Sequence, residues 1–322
     1  MDTFKELGTA GAIRKLYEGS GFNVCTHPWF EFSGNGYCIT TSCVLLEGID
    51  FDLTFFPFKH LGYKAVLKTT GELYSVIATP RVLKVVIGVS SKLDYPEVAQ
   101  IWEGIVGAAR KFGYRDVALE LVPSLTGLSI SVSASGEDTK ENAAARPIAK
   151  SMDLICISNN VGASFLGQQI LQSSKSLGEK ERGVRLEKYR QLVGAYLHPE
   201  LSEHTLEALS ESGVMPSFGY FCAGSLGSTV QTLCAQSGLG AKIYVDKLPF
   251  AGGSIDAAKE LGLDPVQAAM KGGDDCCLLY TVPIGSHDTF RHDFQSWDVI
   301  GHLAKPEVGA VLVSPDGLEH QI

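Results

Sequence analysis

Apolar positions in the first half of the chain change between the spacing of strands and that of helices. Apolar and β-branched runs predict four strands, at residues 37–46, 82–89, 117–122 and 128–134. Residues 97–112 predict a helix, because apolar residues recur on one helical face and Gly113 is placed to end it. A second helix is expected over residues 61–78, although Gly71 weakens it.

The second half begins after a polar stretch. Residues 136–142 include no apolar side chain, so we expect a solvated connection over 136–146. A chain of 322 residues is long enough for two domains, and we place them at residues 1–138 and 139–322. Beyond the connection the pattern predicts these helices and strands: helices at 185–197, 201–212 and 228–237, and strands at 153–158, 241–245, 277–282, 299–303 and 310–313.

Composition narrows the class of protein. The formal net charge of -9 argues against a protein that binds nucleic acid through its phosphates. No apolar run approaches the length of a membrane span, and the N-terminus lacks the pattern of a signal peptide. The eight cysteines form no C-x-x-C pair, which makes a standard zinc site improbable. We therefore expect a cytoplasmic protein without a membrane or nucleic-acid partner.

The densest group of candidate functional residues is Gly272-Gly273-Asp274-Asp275, directly before the apolar strand predicted at 277–282. Adjacent glycines let the backbone approach a ligand closely. Two acids at the start of a buried strand are typical of a site for a metal, a phosphate or another polar ligand. The alternative is that they cap or solvate the start of the strand.

Several segments, in this order, resemble motifs of the thiamine-monophosphate kinase family, in the superfamily of aminoimidazole ribonucleotide synthetase. They are Leu45-Leu46-Glu47-Gly48-Ile49-Asp50-Phe51, Gly62-Tyr63-Lys64-Ala65, the turn at residues 159–164 with Gly167, the segment 272–281, Ile300-Gly301 and Asp316-Gly317. No single motif is decisive, but their order and spacing cover nearly the whole chain. The resemblance implies a two-domain α+β fold with a four-stranded sheet in the N-terminal domain. It also implies a homodimer in which two such sheets close into a barrel, and an N-terminal domain that binds ATP.

That family transfers the γ-phosphoryl group of ATP to thiamine monophosphate, and carboxylates hold the Mg²⁺ ions that neutralise the meeting anions. Three of the five acid-bearing motifs have no acid here, at positions near Thr26, Cys43 and Gly224. The other two retain a glutamate, Glu72 and Glu120, which are weak metal candidates. Since a metal clamp contributes several kcal/mol to transition-state stabilisation, losing most of its ligands should cost many decades in rate.

Other candidates each have a plain alternative. Gly162 and Ser164 could form a phosphate-binding turn at a helix N-terminus, or the turn could be an ordinary N-cap supplied by Asn159, Asn160 or Ser164. Glu47 and Asp50 could face the substrate, or they are surface residues at the end of a strand.

Three further residues are weighed in the same way. Asp50 stands where the family has histidine, and an acid there would repel a phosphate. Cys43 has no base beside it in sequence, and His27 is better explained as a structural or surface histidine.

The sequence thus predicts a thiamine-monophosphate-kinase-like protein, a degenerate paralog that is catalytically impaired or repurposed. It would bind a nucleotide or another small phosphorylated metabolite as a homodimer. The alternative is an active ATP-dependent phosphotransferase that forms thiamine pyrophosphate with Mg²⁺ and ATP. Its rebuilt metal site would use Glu72, Glu120, Asp274 and Asp275.

Overall fold

The computed structural model describes residues 3–25 and 36–322. It divides into two compact units, Met1–Ala143 and Ala144–Ile322. Thr26 and His27, both considered above, lie outside the described residues. Within the described ranges, every helix is too short or too polar to cross a lipid bilayer.

The N-terminal unit is a four-stranded sheet with helices. In chain order its elements are α1 Phe4–Tyr17, β1 Gly36–Leu46, α2 Phe58–Ser75, β2 Thr79–Ser90, α3 Tyr95–Lys111, β3 Asp116–Ser124, β4 Ser129–Thr139 and α4 Lys140–Ala145, which spans the division between the units. The strand order is β1-β4-β2-β3. Strands β1 and β2 pair antiparallel with β4, whereas β2 and β3 run parallel. The four predicted strands and the four-stranded sheet implied by the resemblance are therefore confirmed.

Helices α2 and α3 cross at two glycines. A Cβ atom on Gly62 would overlap the Ile101 carbonyl, and one on Gly104 would overlap the Lys59 carbonyl. Alternate residues of the sheet, such as Val85 and Val132, are fully buried. The residues between them point to the opposite face and are more exposed, including Val44 at 52%. The sheet therefore has one covered face and one open face.

The expected solvated connection after residue 135 is wrong. Strand β4 continues to Thr139, where Glu137 pairs with Thr79 and Thr139 pairs with Gly36 in register. The carboxylate of Glu137 lies 2.6 Å from Arg81 Nε. Polar residues can continue a strand when neighbouring strands on both sides satisfy the backbone, and the apolar pattern does not detect this.

The C-terminal unit is built on a seven-stranded mixed sheet. Its helices are α5 Ala163–Ser173, α6 Glu179–Lys188, α7 Arg190–Leu197, α8 Thr205–Ser212, α9 Leu226–Ser237, α10 Ser254–Leu261, α11 Pro265–Lys271 and α12 His287–Asp293. Its strands are β5 Leu154–Ile157, β6 Phe218–Cys222, β7 Gly240–Tyr244, β8 Cys277–Val282, β9 Asp298–Ala304, β10 Ala310–Val313 and β11 Glu319–Gln321. The strand order is β11-β10-β7-β9-β5-β8-β6.

Two predictions for this unit need correction. The helix expected over 185–197 is two helices that meet at Tyr189, whose hydroxyl donates to Glu260 Oε2 at 2.6 Å. The helix expected over 201–212 begins only at Thr205. Strand β8 is buried at all six residues, as its unbroken apolar run predicted.

Candidate functional site

The strand order of the C-terminal unit brings three loops to one edge of its sheet. Strand β8 lies between β5 and β6 and runs antiparallel to both. The ends of β5 and β6 therefore lie beside the start of β8. The loop after β5 leads into α5, the loop after β6 leads into α9, and residues 272–276 lead into β8. This arrangement brings Gly162 and Ser164 close to the Gly272–Asp275 segment, which lies more than 100 positions later in the sequence.

The Asp275 carboxylate binds the N-terminus of α5. The Gly162 amide donates to Asp275 Oδ2 at 2.7 Å, and the Ser164 amide donates to Oδ1 at 3.1 Å. Asp275 is 8% exposed, and its charge complements the positive end of the helix dipole. A local side-chain N-cap from Asn159, Asn160 or Ser164 is therefore wrong, since α5 is capped by an acid 113 positions from Gly162.

Two glycines allow α5 to lie close to α11. Gly162 has a φ of +74°, and a Cβ atom there would lie 2.8 Å from the Ala269 amide nitrogen. A Cβ atom on Gly272 would lie 2.6 Å from Cβ of Phe165. Glycine is thus required at both positions by packing. The Ser164 hydroxyl next to them is buried and has no hydrogen-bond partner among the described residues.

The segment before β8 holds its backbone in an uncommon conformation. Asp274 and Cys276 have φ values of +63° and +53°, in the left-handed region that non-glycine residues rarely occupy. The Asp274 amide donates to the Ala223 carbonyl at 3.3 Å, and the Cys276 amide donates to the Cys222 carbonyl at 3.2 Å. Such strain is concentrated at functional sites in proteins. The two hydrogen bonds place Asp274 beside the loop that contains Gly224.

A cavity of about 560 Å³ opens beside the N-terminus of α5. It is lined by Asn159, Asn160, Ala163, Gln191, Gly194, Ala195, His198, Pro199, Glu200, Ala251 and Asp275. We call it the α5 pocket. The Asn159 side-chain amide donates to the Glu200 carbonyl at 2.8 Å and joins two of its walls.

The sequence analysis missed the α7 side of this pocket, from Gln191 to Glu200. A signal was present, because Pro199 ends a helical pattern and is flanked by His198 and Glu200. Polar residues directly after a helix are common in binding sites.

The acidic candidates of the N-terminal unit have other partners. Glu47 Oε2 accepts from the Leu128 amide at 2.7 Å, and Asp50 Oδ2 accepts from the Leu46 amide at 2.8 Å. Glu120 lies 3.5 Å from Lys84 Nζ on the exposed face of the sheet. Each carboxylate is thus held by a nearby group of the same unit.

Cys43 and Glu72 lie near one another. The Cys43 thiol donates to the Ala65 carbonyl at 3.4 Å, and burial raises its pKa to about 11, with smaller effects from Lys68, Asp50 and Glu72. A thiol of this kind is protonated at neutral pH and is a poor nucleophile. Glu72 is exposed. Desolvation by the surrounding protein raises the pKa of its carboxyl.

The family fold implies Mg²⁺, and the geometry tests whether the residues fit it. Over residues 3–25 and 36–322, no three histidine, cysteine, aspartate or glutamate side chains are arranged to hold a metal ion. Mg²⁺ needs an octahedral set of oxygen ligands. Among the described residues, at most two such side chains could therefore contact one Mg²⁺ ion, and water or ligand phosphates would have to complete its shell.

Comparison with known proteins identifies relatives. No family model matches the chain. The thiamine-monophosphate kinase of Aquifex aeolicus is 24% identical over 322 residues, covering 98% of this chain and 99% of that enzyme. The Bacillus subtilis thiamine-monophosphate kinase is 25% identical over 134 residues, which span 42% of this chain and 40% of that enzyme.

Solved structures agree in fold. The thiamine monophosphate kinase structure from Aquifex aeolicus has a TM-score of 0.71 at 21% identity and covers 100% of both chains. A structure of AaThiL complexed with AMPPCP and TMP has a TM-score of 0.70 at 21% identity and covers 99% of both chains. The hydrogenase maturation protein HypE of E. coli has a TM-score of 0.70 at 15% identity and covers 96% of this chain and 95% of that one. The fold is the α+β, aminoimidazole ribonucleotide synthetase-like fold, and the chain is a divergent relative of thiamine-monophosphate kinases.

Proposed function

We propose that this chain is a thiamine-monophosphate-kinase-like protein that binds a nucleotide or another phosphorylated metabolite and transfers phosphoryl groups poorly or not at all. The observation that carries the proposal is how its acids are used. Asp275 is bound to two amides of α5, and Glu120 is paired with Lys84. These are two of the four acids that a rebuilt metal site would need.

Glu72, one of the remaining two acids, does not favour the active-kinase alternative. Desolvation raises the pKa of the Glu72 carboxyl, a direction that opposes its charged form. Without a fitting metal set, we assign no catalytic step to Mg²⁺.

We also infer that the chain forms a homodimer in the cytoplasm. The open face of the N-terminal sheet supports the dimer, since Val44 and Leu46 are 52% and 39% exposed there and exposed apolar groups favour association. All eight cysteines are free thiols, which fits a reducing compartment. Sedimentation analysis of the wild type and of Val44→Lys would test the dimer.

The enzymatic part of the proposal is tested with purified protein, Mg²⁺, ATP and thiamine monophosphate. We expect thiamine pyrophosphate to form many orders of magnitude more slowly than with an active kinase assayed in parallel. Turnover at ordinary enzyme rates of about 1–100 per second would overturn the proposal. Titration calorimetry with Mg²⁺ and AMPPCP measures nucleotide binding independently of catalysis.

A gain-of-function variant sharpens this test. Gly224 lies where the family motif carries an acid, and a Cβ atom there would only touch Ser228 Oγ at 3.5 Å. Gly224→Asp should therefore fold normally, and the wild type is its control in the same assay. Partial recovery of thiamine pyrophosphate formation would support loss of metal ligands as the cause of low activity.

A further inference from the structure

We propose that the α5 pocket selects a ligand group that is cationic or rich in hydrogen-bond donors, and that it disfavours phosphate. The inference names the ligand chemistry of the candidate site and rests on the proposed binding of a small ligand by this chain. It reverses the expectation from sequence that Gly162 and Ser164 form a phosphate-binding turn.

The first argument is the state of the helix end. A helix N-terminus attracts anions through its free amides and its dipole. In α5 the amides of Gly162 and Ser164 already donate to Asp275, at 2.7 and 3.1 Å. A phosphate entering here would lose those donors and would meet a carboxylate of like charge. Asp275 thus takes the place that an anionic ligand would occupy.

The second argument is the chemistry of the lining. Two acidic residues, Asp275 and Glu200, belong to the lining. Asn159 uses one amide hydrogen on the Glu200 carbonyl, and its side-chain oxygen is an acceptor. Among the described residues, no lysine or arginine lines the pocket. The charged residues of the lining are therefore acidic, and its side-chain amides can accept as well as donate.

The nearest cation in sequence is directed elsewhere. Arg190, the residue before Gln191, has a side chain that is 79% exposed and lies 3.8 Å from Glu187. His198 adds one imidazole to the lining.

Several lining residues are small and leave room for a ring. Ala163, Gly194, Ala195 and Ala251 leave space on its walls because their side chains are small or absent. The volume of about 560 Å³ falls within the range of small-molecule sites. A flat ring bearing an amidine or amino group would place its apolar face on these residues and its N–H groups on the acceptors.

Three probes of the same size separate charge from shape. Benzamidine is a cation, benzamide is neutral and benzoate is an anion, and all three carry one phenyl ring. We expect binding to weaken in that order, with benzamidine about tenfold tighter than benzoate at low salt. Methyl-labelled alanine reports the location, because Ala163, Ala195 and Ala251 should shift on binding. The titrations are run at mildly alkaline pH.

Charge variants test the cause. Glu200 is exposed, so Glu200→Gln and Glu200→Lys should fold. Glu200→Gln should weaken benzamidine several-fold and leave benzamide unchanged, and Glu200→Lys should make benzoate the better ligand. Glu211→Gln removes an exposed acid of the same unit outside the α5 pocket and should leave all three affinities unchanged.

Two results would overturn the inference. One is that benzoate or inorganic phosphate shifts the same alanine methyls as strongly as benzamidine. The other is that no probe shifts them at millimolar concentration. Calorimetry with Mg²⁺ and AMPPCP keeps the two proposals separate. If AMPPCP binds and no probe shifts the alanine methyls, only the pocket assignment is wrong. If the probes bind as expected and AMPPCP does not, only the proposed nucleotide binding is wrong.

Discussion

The two units of this chain use their acidic residues in different ways. In the N-terminal unit, Glu47 accepts from the Leu128 amide, Asp50 accepts from the Leu46 amide, and Glu120 pairs with Lys84 on the adjacent strand. In the C-terminal unit, Asp275 reaches an amide 113 positions away. Acids that look alike in sequence therefore contact loops and strands at partly exposed positions in one unit, and cap a buried helix N-terminus in the other.

The candidate site forms where several loops of the C-terminal unit converge. Strands β5 and β6 both run antiparallel to β8, so three loops meet at one edge. In the N-terminal unit the candidate acids lie on different elements: Glu47 and Asp50 follow β1, Glu72 lies on α2 and Glu120 lies on β3. A cluster of functional groups needs converging chain ends as well as suitable residues.

The largest expected effect comes from removing the acid that joins the loops. Asp275→Ala should lower the free energy of unfolding by about 3 kcal/mol, because two buried amides lose a charged acceptor. The thermal midpoint of the protein, followed by circular dichroism, should fall by roughly 5–10 °C.

The control for this change is Asp274→Asn. Asparagine tolerates the left-handed backbone at Asp274, where φ is +63°, and the cap on α5 remains. We expect its thermal midpoint to stay within roughly 2 °C of the wild type. Equal losses in the two variants would remove the distinction drawn between the two acids.

A smaller loss is expected from the glycine that lets α5 approach. Gly162→Ala should cost about 2–3 kcal/mol, because the residue has a φ of +74° and its Cβ would press on the Ala269 backbone. Urea denaturation of the full chain measures the change in the free energy of unfolding.

Gly178→Ala is the matched control for Gly162→Ala. Gly178 has a φ of -58° and nothing within 4 Å of an added Cβ. Stability should be unchanged or higher by up to about 1 kcal/mol. If Gly162→Ala behaved like Gly178→Ala, the close contact between α5 and α11 would be disproved.

The smallest effect concerns the N-terminal unit. Desolvation raises the pKa of Glu72 above its ordinary value of 4.5, so the folded state holds this proton more tightly than the unfolded state. The wild type therefore loses stability as the pH rises through this range.

Glu72→Gln stays neutral and should not show this loss. Its stability relative to the wild type should be equal below pH 4.5 and higher near neutrality. The gain should be below about 1 kcal/mol, because solvent screens an exposed group. Thermal midpoints measured across this pH range provide the test, and a gain that does not vary with pH would contradict it.

Much of the fold follows from local patterns. The apolar run at Cys277–Val282 predicted a buried strand, and all six residues are buried. The apolar face of residues 97–112 predicted α3, which begins at Tyr95 and ends at Lys111. Both predictions succeeded because one element supplies its own signal, either a continuous apolar run or a helical repeat.

Other features depend on neighbours that are distant in sequence. The polar end of β4 is a strand because β1 and β2 satisfy its backbone. The helix pattern across residues 185–197 hides a break at Tyr189, where the hydroxyl contacts Glu260 from α10. In both cases the partner lies far from the segment in sequence, so the local pattern of residues does not predict the contact.

The sequence by itself determined the family resemblance and the strand that follows the paired acids, and it led to the proposal that carboxylates are missing at Cys43 and Gly224. Only the tertiary structure decided what Asp275 does. Its carboxylate meets the α5 amides because β8 lies between β5 and β6. Strand order is set by packing over the whole unit, and the residues that surround a charge then decide whether it binds a ligand or the protein itself.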